Sequence, residues 1–262
     1  MNPMKVVFCG DPHCGHMAGL TPPPWWLPKD TPHHGVRRLH SEMWRRFRGY
    51  TRKHAPVDLV VLNGDGVDGK GKRSGGIEQI VSDRHEQADM CVLAMLEWRK
   101  GSPKCKFAMR RGTPYHVGQE EDFERVIAER LDCELETARP MKIGGVVVNI
   151  KHKVGRSSIP HGRHTAPARA RLQDVLRSEQ KKHPKAGIII RSHVHYYGFC
   201  GGTGWMAMTL PALQSWTRYG EGEMDDDVDW GLVVFDFDGK GGYSWTPEIV
   251  TLQAAVQNPQ TY

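Results

Sequence analysis

The chain has 262 residues, 39% hydrophobic and 25% charged, with a formal net charge of +6. This composition is typical of a soluble globular protein, and no apolar stretch approaches the roughly 20 residues that a membrane span needs. The first ten residues hold too short an apolar run for a secretory signal, so we expect a cytoplasmic protein. The six cysteines form no C-x-x-C pair and are expected to be reduced thiols.

Short apolar runs alternate with longer helical patterns, which predicts an α/β fold. Without internal repeats or a clear linker, a single domain over residues 1–262 is expected. Strands are predicted at residues 4–9, 57–62, 104–109, 146–151 and 187–191, and antiparallel β structure at 196–200, 205–210 and 232–238. Helices are predicted at residues 36–50, 77–98, 120–131 and 166–182. The proline-rich segment 20–34 is predicted to be a loop, in which Trp25 and Trp26 either pack as a hydrophobic plug or stack on a substrate.

Asp and His residues follow five of the predicted strands directly. Because open α/β sheets bind ligands at the carboxyl ends of their strands, these side chains are expected to meet at one place. Carboxylate and imidazole together suit Zn, Fe, Mn or Ni. If each segment is extended, the two members of Asp-x-His and of His-x-His lie on the same side of the backbone. The stretches are Asp11-Pro12-His13, Gly64-Asp65-Gly66-Val67-Asp68, Gly112-Thr113-Pro114-Tyr115-His116, His152 and Ser192-His193-Val194-His195.

These five stretches resemble the signature of the calcineurin-like metallophosphoesterases, which runs D-x-H, G-D-x-x-D, G-N-H-[DE], a lone H and G-H-x-H. The resemblance implies a four-layer αββα sandwich, in which two β-sheets are flanked by helices, with a dinuclear metal centre at the strand ends. It also suggests a compact member of the phage or prophage type.

Carried over residue by residue, the resemblance implies two divalent transition-metal ions, most simply Mn, with Zn, Fe or Ni as alternatives. Asp68 matches the acid that orients a histidine of the catalytic machinery. The implied ligands are Asp11, His13 and His195 for the first ion, Asp65 as the bridge, and His152 and His193 for the second ion.

The third stretch departs from the family pattern. Thr113 stands where the family has a metal-binding asparagine, so it is either a weak ligand or a supporting residue. His116 comes two residues later than the family's catalytic histidine. It is expected to protonate the leaving group as a general acid, and the alternative is that it ligates a metal in place of the missing amide.

The resemblance implies hydrolysis of a phosphate ester by in-line attack of a hydroxide held between the two ions. A basic segment, with twelve Lys or Arg against two acids from Arg139 to Lys185, favours phosphodiesters. Within it, Arg156 and His161 are predicted to bind the substrate. The alternatives are a phosphomonoesterase or protein phosphatase, a nuclease whose basic helix tracks nucleic acid, and a non-catalytic metal-binding scaffold.

Overall fold

Two mixed β-sheets lie face to face in the computed structural model, which describes residues 1–28, 34–71, 75–118, 122–217 and 228–253. The first sheet has the strand order β11-β10-β1-β2-β3-β4, and the second has the order β5-β6-β7-β9-β8. The strands are β1 (Met4–Cys9), β2 (Leu59–Asn63), β3 (Lys106–Arg110), β4 (Leu135–Glu136), β5 (Met141–Ile143), β6 (Val146–Ile150), β7 (Ile188–Arg191), β8 (Gly198–Gly202), β9 (Trp205–Thr209), β10 (Trp230–Phe237) and β11 (Tyr243–Val250).

Helices cover the outer faces of both sheets. α1, α2 and α4 pack on the first sheet, while α5 packs on the second. Short 3-10 helices occur at Pro23–Trp25 and Pro160–His164. No helix within the described ranges is both long and apolar enough to span a membrane. The α-helices are α1 (His34–His54), α2 (Arg84–Gly101), α3 (Pro114–Val117), α4 (Phe123–Leu131) and α5 (Thr165–Glu179).

The alternation of side chains along β1 explains the layers. Val6 and Phe8 point into the core between the two sheets, whereas Val7 and Cys9 point into the core beneath the helices. All four are completely buried, as the two-residue period of a strand between two apolar layers requires. Each such side chain contributes roughly 1.5–3 kcal/mol through burial. The αββα sandwich that the sequence predicts is therefore the observed fold.

Several predicted boundaries differ from the structure. α2 begins at Arg84 rather than at residue 77, because the Asp83 side chain caps the helix by accepting a hydrogen bond from the Glu86 backbone N–H (2.9 Å). The preceding segment instead packs on the first loop, where the Ile80 N–H donates to the Gly15 carbonyl (2.9 Å). The short strands β4 and β5 and the long edge strand β11 were not predicted.

The antiparallel prediction for the last three strands is only partly right. β8 and β9 form an antiparallel hairpin, but β9 also pairs in parallel with β7. β10 joins the other sheet, where it lies antiparallel to β1 and β11.

The tryptophans of the proline-rich segment pack on the helical side of the first sheet. Trp25 Nε1 donates to Glu86 Oε1 (2.7 Å), and Trp26 Nε1 donates to the Thr21 carbonyl (2.9 Å). Their rings therefore serve as a plug, the first of the two predicted roles. Residues 29–33 of the segment lie outside the described residues. The six cysteines are all free thiols.

Candidate metal centre

Four strands deliver the candidate Asp and His ligands to one end of the sandwich. Asp11 and His13 follow β1, Asp65 follows β2, and these strands run parallel in the first sheet. In the second sheet, His152 follows β6, while His193 and His195 follow the parallel strand β7. The loops are locked together by backbone hydrogen bonds, including Asp11 N–H to the Gly64 carbonyl (3.0 Å) and His13 N–H to the Asp65 carbonyl (3.1 Å).

The backbone at these positions turns sharply. Five of the candidate ligands have positive φ angles. Among the other non-glycine residues that the structure describes, only Asp132 and Lys181 do. The left-handed region costs a non-glycine residue roughly 1–2 kcal/mol, and such strain clusters at functional sites. The residues concerned are Asp11 (53°), His13 (41°), Asp65 (51°), His193 (75°) and His195 (60°).

These angles correct one step of the sequence reasoning. The members of Asp-x-His and His-x-His were expected to share a side because their segments are extended. That reason is wrong, since both members of each pair have positive φ. Their side chains lie close together although the backbone there is not extended.

Asp11 lies at the centre of the first group of side chains. Its Oδ1 is 3.4 Å from His195 Nε2 and 3.9 Å from His13 Nε2. Its Oδ2 accepts a hydrogen bond from the His193 backbone N–H (3.2 Å), which ties the β7 loop to the β1 loop. One ligand atom from each of Asp11, His13 and His195 lies within 4.8 Å of the others, a spacing that one metal ion can bridge.

Asp65 lies at the centre of the second group. Its Oδ2 is 3.0 Å from His152 Nε2, 3.9 Å from His13 Nε2 and 4.0 Å from His193 Nδ1. Asp65, His152 and His193 form another group whose ligand atoms lie within 4.8 Å of one another. Asp65 reaches His13 of the first group, and Asp11 Oδ1 lies 3.9 Å from His152 Nε2 of the second group, so the two groups adjoin each other.

Charge interactions in this buried cluster set the pKa values. Burial alone would raise the pKa of Asp65, but the neighbouring His152, His193 and His13 hold it well below its usual range. Burial would lower the pKa of His152, yet Asp65 and Asp11 raise it to about 10. Burial and then the nearby His116 lower the pKa of His13 well below 6.5. Without a metal, the site therefore holds a carboxylate beside a protonated His152.

Several buried polar atoms of the cluster have no hydrogen-bond partner. Bound metal ions would supply partners for such atoms, so this observation shows whether the residues fit a metal site. Buried polar groups in proteins are nearly always partnered. His152 Nδ1 donates to the Asn63 carbonyl (2.7 Å), leaving Nε2 directed at the cluster, which is the arrangement expected of a metal-ligating histidine. The donor set of imidazole nitrogens and carboxylate oxygens suits a transition-metal ion. The unpartnered atoms are Asp11 Oδ1 and both ring nitrogens of His13, while His152 Nε2 faces Asp65 Oδ2 at 3.0 Å.

Asp68 lies between two histidines beside the cluster. Its Oδ1 is 3.8 Å from His13 Nδ1 and 3.9 Å from His116 Nδ1. His116 Nδ1 also donates to the Asp68 backbone carbonyl (2.9 Å), so its Nε2 is left for other contacts. His116 forms a further group of three with His13 and Asp65 within 4.8 Å. This position is compatible with either predicted role, proton donor or metal ligand.

Thr113 is in direct contact with the carboxylate of Asp65. Its backbone N–H donates to Asp65 Oδ1 (2.6 Å), and its hydroxyl donates to Asp65 Oδ2 (3.3 Å). The same hydroxyl lies 3.2 Å from His193 Nδ1. Thr113 therefore orients two members of the cluster.

A cavity of about 420 Å³ opens over the cluster. Arg156 lines it, whereas His161 lies exposed on the 3-10 helix Pro160–His164 and is not among its described lining residues. Sequence reasoning missed Tyr115 and the segment 214–217, which includes Trp216, as parts of this cavity wall. Residues 214–217 carry no metal-ligand pattern, so no signal in the sequence pointed to them.

Glu124 is a second feature that the sequence reasoning missed. It is completely buried on α4, where Oε1 accepts from the Gly66 N–H (3.2 Å) and Oε2 accepts from the Gly112 N–H (2.7 Å). Burial, followed by the nearby charge of Asp65, raises its pKa to about 7. The carboxyl group thereby clamps the loops that follow β2 and β3. An acid on the apolar face of α4, in register with Ile127 and Leu131, was the signal available.

Comparison with known proteins finds similarity in structure alone. No protein-family model and no curated protein matches the chain. The chain is similar to Vps29 from Entamoeba histolytica, with 13% identity over 95% of this chain and 100% of that chain and a TM-score of 0.47. It is similar to an archaeal phosphodiesterase, with 13% identity over 93% and 99% of the two chains and a TM-score of 0.46. Vacuolar protein sorting 29 from Cryptosporidium parvum has 10% identity over 96% of this chain and 100% of that chain, with a TM-score of 0.48.

The resemblance to the calcineurin-like metallophosphoesterases therefore continues to rest on the five sequence stretches. At such identities and TM-scores the likeness concerns the arrangement of sheets and helices only. The assignment to a phage or prophage type stays a prediction.

Proposed function

We propose that the chain is a metal-dependent phosphoesterase that prefers phosphodiesters. The observation that carries this proposal is the buried cluster of Asp and His side chains with unpartnered ligand atoms, opening into a cavity large enough for a phosphate ester. We further propose that residues 1–262 act as one catalytic domain.

The proposed cofactors are two divalent transition-metal ions, with Mn favoured and Zn, Fe or Ni accepted, because the ligands mix imidazole with carboxylate. When bound, such ions lower the pKa of coordinated water and neutralise charge on a phosphoryl group. The groups that would hold them are Asp11, His13 and His195 on one side, His152 and His193 on the other, and Asp65 between them.

The residues around the cluster have distinct proposed tasks. His116 donates a proton to the departing oxygen from Nε2, while its Nδ1–H is held by the Asp68 carbonyl. Arg156 in the cavity wall binds non-reacting phosphate oxygens. Thr113 and the buried Glu124 keep Asp65 in place through the loop that follows β3.

The preference for diesters follows from the cavity walls. Tyr115 and Trp216 line the cavity beside the cluster, so the organic groups of a diester have aromatic surfaces to contact. A monoester dianion would present only one such group. Hydrolysis of monoesters, including phosphoprotein, is therefore the second choice.

Reconstitution with defined metals tests the proposal. The protein is stripped with a chelator, reloaded with Mn, Zn, Ni or Mg, and assayed on an aryl phosphodiester, the matching monoester and DNA. Turnover of the diester with Mn is expected, together with loss of metal and activity in Asp65→Asn. Asp89→Asn, an exposed carboxylate on α2, serves as the charge-matched control. Absence of turnover with every metal would refute the enzyme proposal and favour a metal-binding scaffold.

A further inference from the structure

A second cavity of about 640 Å³ lies beside the metal-centre cavity. The two share part of their walls, namely the segment from Lys153 to Arg156 that directly follows the candidate ligand His152. A ligand held at the metal centre can therefore extend past this segment into the second cavity.

Basic side chains from three different elements converge on the second cavity. Lys151 follows β6, Arg169 and Arg177 come from α5, and Arg191 ends β7. Within the described ranges, no carboxylate lies within 4 Å of Lys151, Arg169 or Arg177.

Among the described residues that line the second cavity, Asp174 is the only acid, and its oxygens are already engaged. Oδ1 accepts from Asn149 Nδ2 (2.8 Å), while Oδ2 accepts from the Ala186 N–H (3.0 Å) and from Arg171 Nη1 (3.4 Å). Arg171 is itself held by the Ala186 carbonyl and lies over the Trp205 ring (5.5 Å), so it is a structural residue of α5. The cavity therefore keeps a large excess of positive charge.

We propose that the second cavity binds a further phosphate group of the substrate while the scissile phosphate lies at the metal centre. This inference rests on the proposed phosphoesterase function and specifies its substrate class: nucleotides or short nucleic-acid strands that carry a second phosphate next to the scissile diester. One Arg guanidinium group can donate two parallel hydrogen bonds to phosphate oxygens, which adds affinity and fixes the orientation of the phosphate.

The contrast between the two cavities supports a nucleotide chain. No Phe, Tyr or Trp is found among the described residues that line the second cavity, so it offers charge to a backbone phosphate rather than a stacking surface for a base. Tyr115 and Trp216 line the metal-centre cavity instead. A nucleoside can contact these rings while its outer phosphate extends to Arg169 and Arg177.

Equilibrium binding tests the inference without turnover. Thymidine 3′,5′-bisphosphate is titrated into the full chain after removal of metal with a chelator. Arg169→Ala/Arg177→Ala is expected to weaken binding at least tenfold. The matched control, Lys182→Ala/Lys185→Ala, removes the same charge from exposed positions nearby that do not line either cavity, and is expected to change binding less than twofold. Equal effects of the two double variants would overturn the inference.

A pair of chromogenic substrates tests the same contact during turnover. Thymidine 5′-(p-nitrophenyl phosphate) is compared with its 3′-phosphorylated form, and the 3′-phosphate is expected to raise kcat/KM about tenfold. Arg169→Ala/Arg177→Ala should remove that preference and leave hydrolysis of the simpler ester unchanged. If neither ester is cleaved while the bisphosphate still binds through Arg169 and Arg177, the proposed function fails and the anion site stands. If the unmodified protein cleaves the two esters with the same kcat/KM, the inference is refuted.

Salt dependence identifies where the second phosphate comes from. For a single strand, log K falls with log[salt] with a slope of about −0.7 for each phosphate contact. If the natural ligand is a strand, a thymidine decamer binds more tightly than the bisphosphate, and Arg169→Ala/Arg177→Ala reduces its slope by about 1.4. If the decamer binds no better than the bisphosphate, the site is built for a small nucleotide with two phosphates.

Discussion

Replacing Glu124 by Gln isolates the clamp that joins the loops after β2 and β3. The two side chains have nearly the same shape, but the amide keeps only one acceptor oxygen. Glu124 uses both oxygens, one for the Gly66 N–H and one for the Gly112 N–H. In the variant, an NH2 group faces one of these donors, and a buried N–H is left without a partner.

The magnitude follows from that lost acceptor. A buried donor without a partner costs about 1–3 kcal/mol of unfolding free energy. For a chain of this size, each kcal/mol lowers Tm by roughly 2–4 °C, so Glu124→Gln should lower Tm by about 2–12 °C. Because Gly66 and Gly112 flank Asp65 and Thr113, the affinity for the metal should also fall about 10–100-fold.

Thermal unfolding and metal titration of the purified variants check both effects. Glu129→Gln lies on the exposed face of the same helix, α4, and should change neither Tm nor metal affinity. Glu124→Ala removes both acceptors and should exceed the effect of Glu124→Gln. If Glu124→Gln matched the control in Tm and in metal affinity, the clamp would have no role in holding the site.

Three further substitutions, at His116, His152 and Gly112, test individual residues of the metal centre. His116→Ala should slow hydrolysis of an alkyl phosphodiester about 10²–10⁴-fold and that of a p-nitrophenyl ester far less, since p-nitrophenolate leaves without a proton; loss of bound metal, measured by elemental analysis, would instead make it a ligand. Metal uptake at pH 7.5 should release about one proton more from the unmodified protein than from His152→Gln, measured with an indicator dye, because a pKa of about 10 keeps His152 protonated in the metal-free protein. Protons lost by metal-bound water are released from both proteins and cancel in this difference. In the metal-free protein, the stability due to this ion pair is complete between about pH 4 and pH 6.5; it disappears as the pH rises through about 10 and falls as Asp65 becomes protonated in acid. A methyl group at Gly112 would overlap Asp65 Oδ1 and its backbone nitrogen, so Gly112→Ala should lose metal and activity at least 100-fold, whereas Gly49→Ala, with open space around its Cβ, should be neutral or stabilising.

The strands show how far the sequence alone predicts the fold. Apolar runs such as Met4–Cys9 are fully recognisable because both faces of the strand are buried, so nearly every position is hydrophobic. The two-residue strand β4 and the edge strand β11 lack that signal. β11 consists of exposed and half-buried residues without a continuous apolar run, and it contains Pro247, which an edge strand tolerates although proline usually marks the end of a strand pattern.

The candidate site divides in the same way. Asp11, His13, Asp65, His193 and His195 could be predicted because they directly follow recognisable strands. Contacts made through the backbone could not be predicted, because every residue type except proline has the same N–H and C=O groups and the sequence carries no pattern for them. The Gly66 and Gly112 N–H groups that bind Glu124, and the cavity wall at residues 214–217, depend on how distant loops meet in the folded chain.

The positive φ angles at five of the six candidate ligands set a limit on how stable this scaffold can become. At roughly 1–2 kcal/mol each, they sum to about 5–10 kcal/mol, which is comparable with the whole net stability of a typical domain. Glycine or asparagine would relax this backbone and would also remove the ligating carboxylates and imidazoles. Selection for thermostability alone would therefore erode the centre first, and any lineage that keeps these histidines in left-handed geometry trades folding free energy for them.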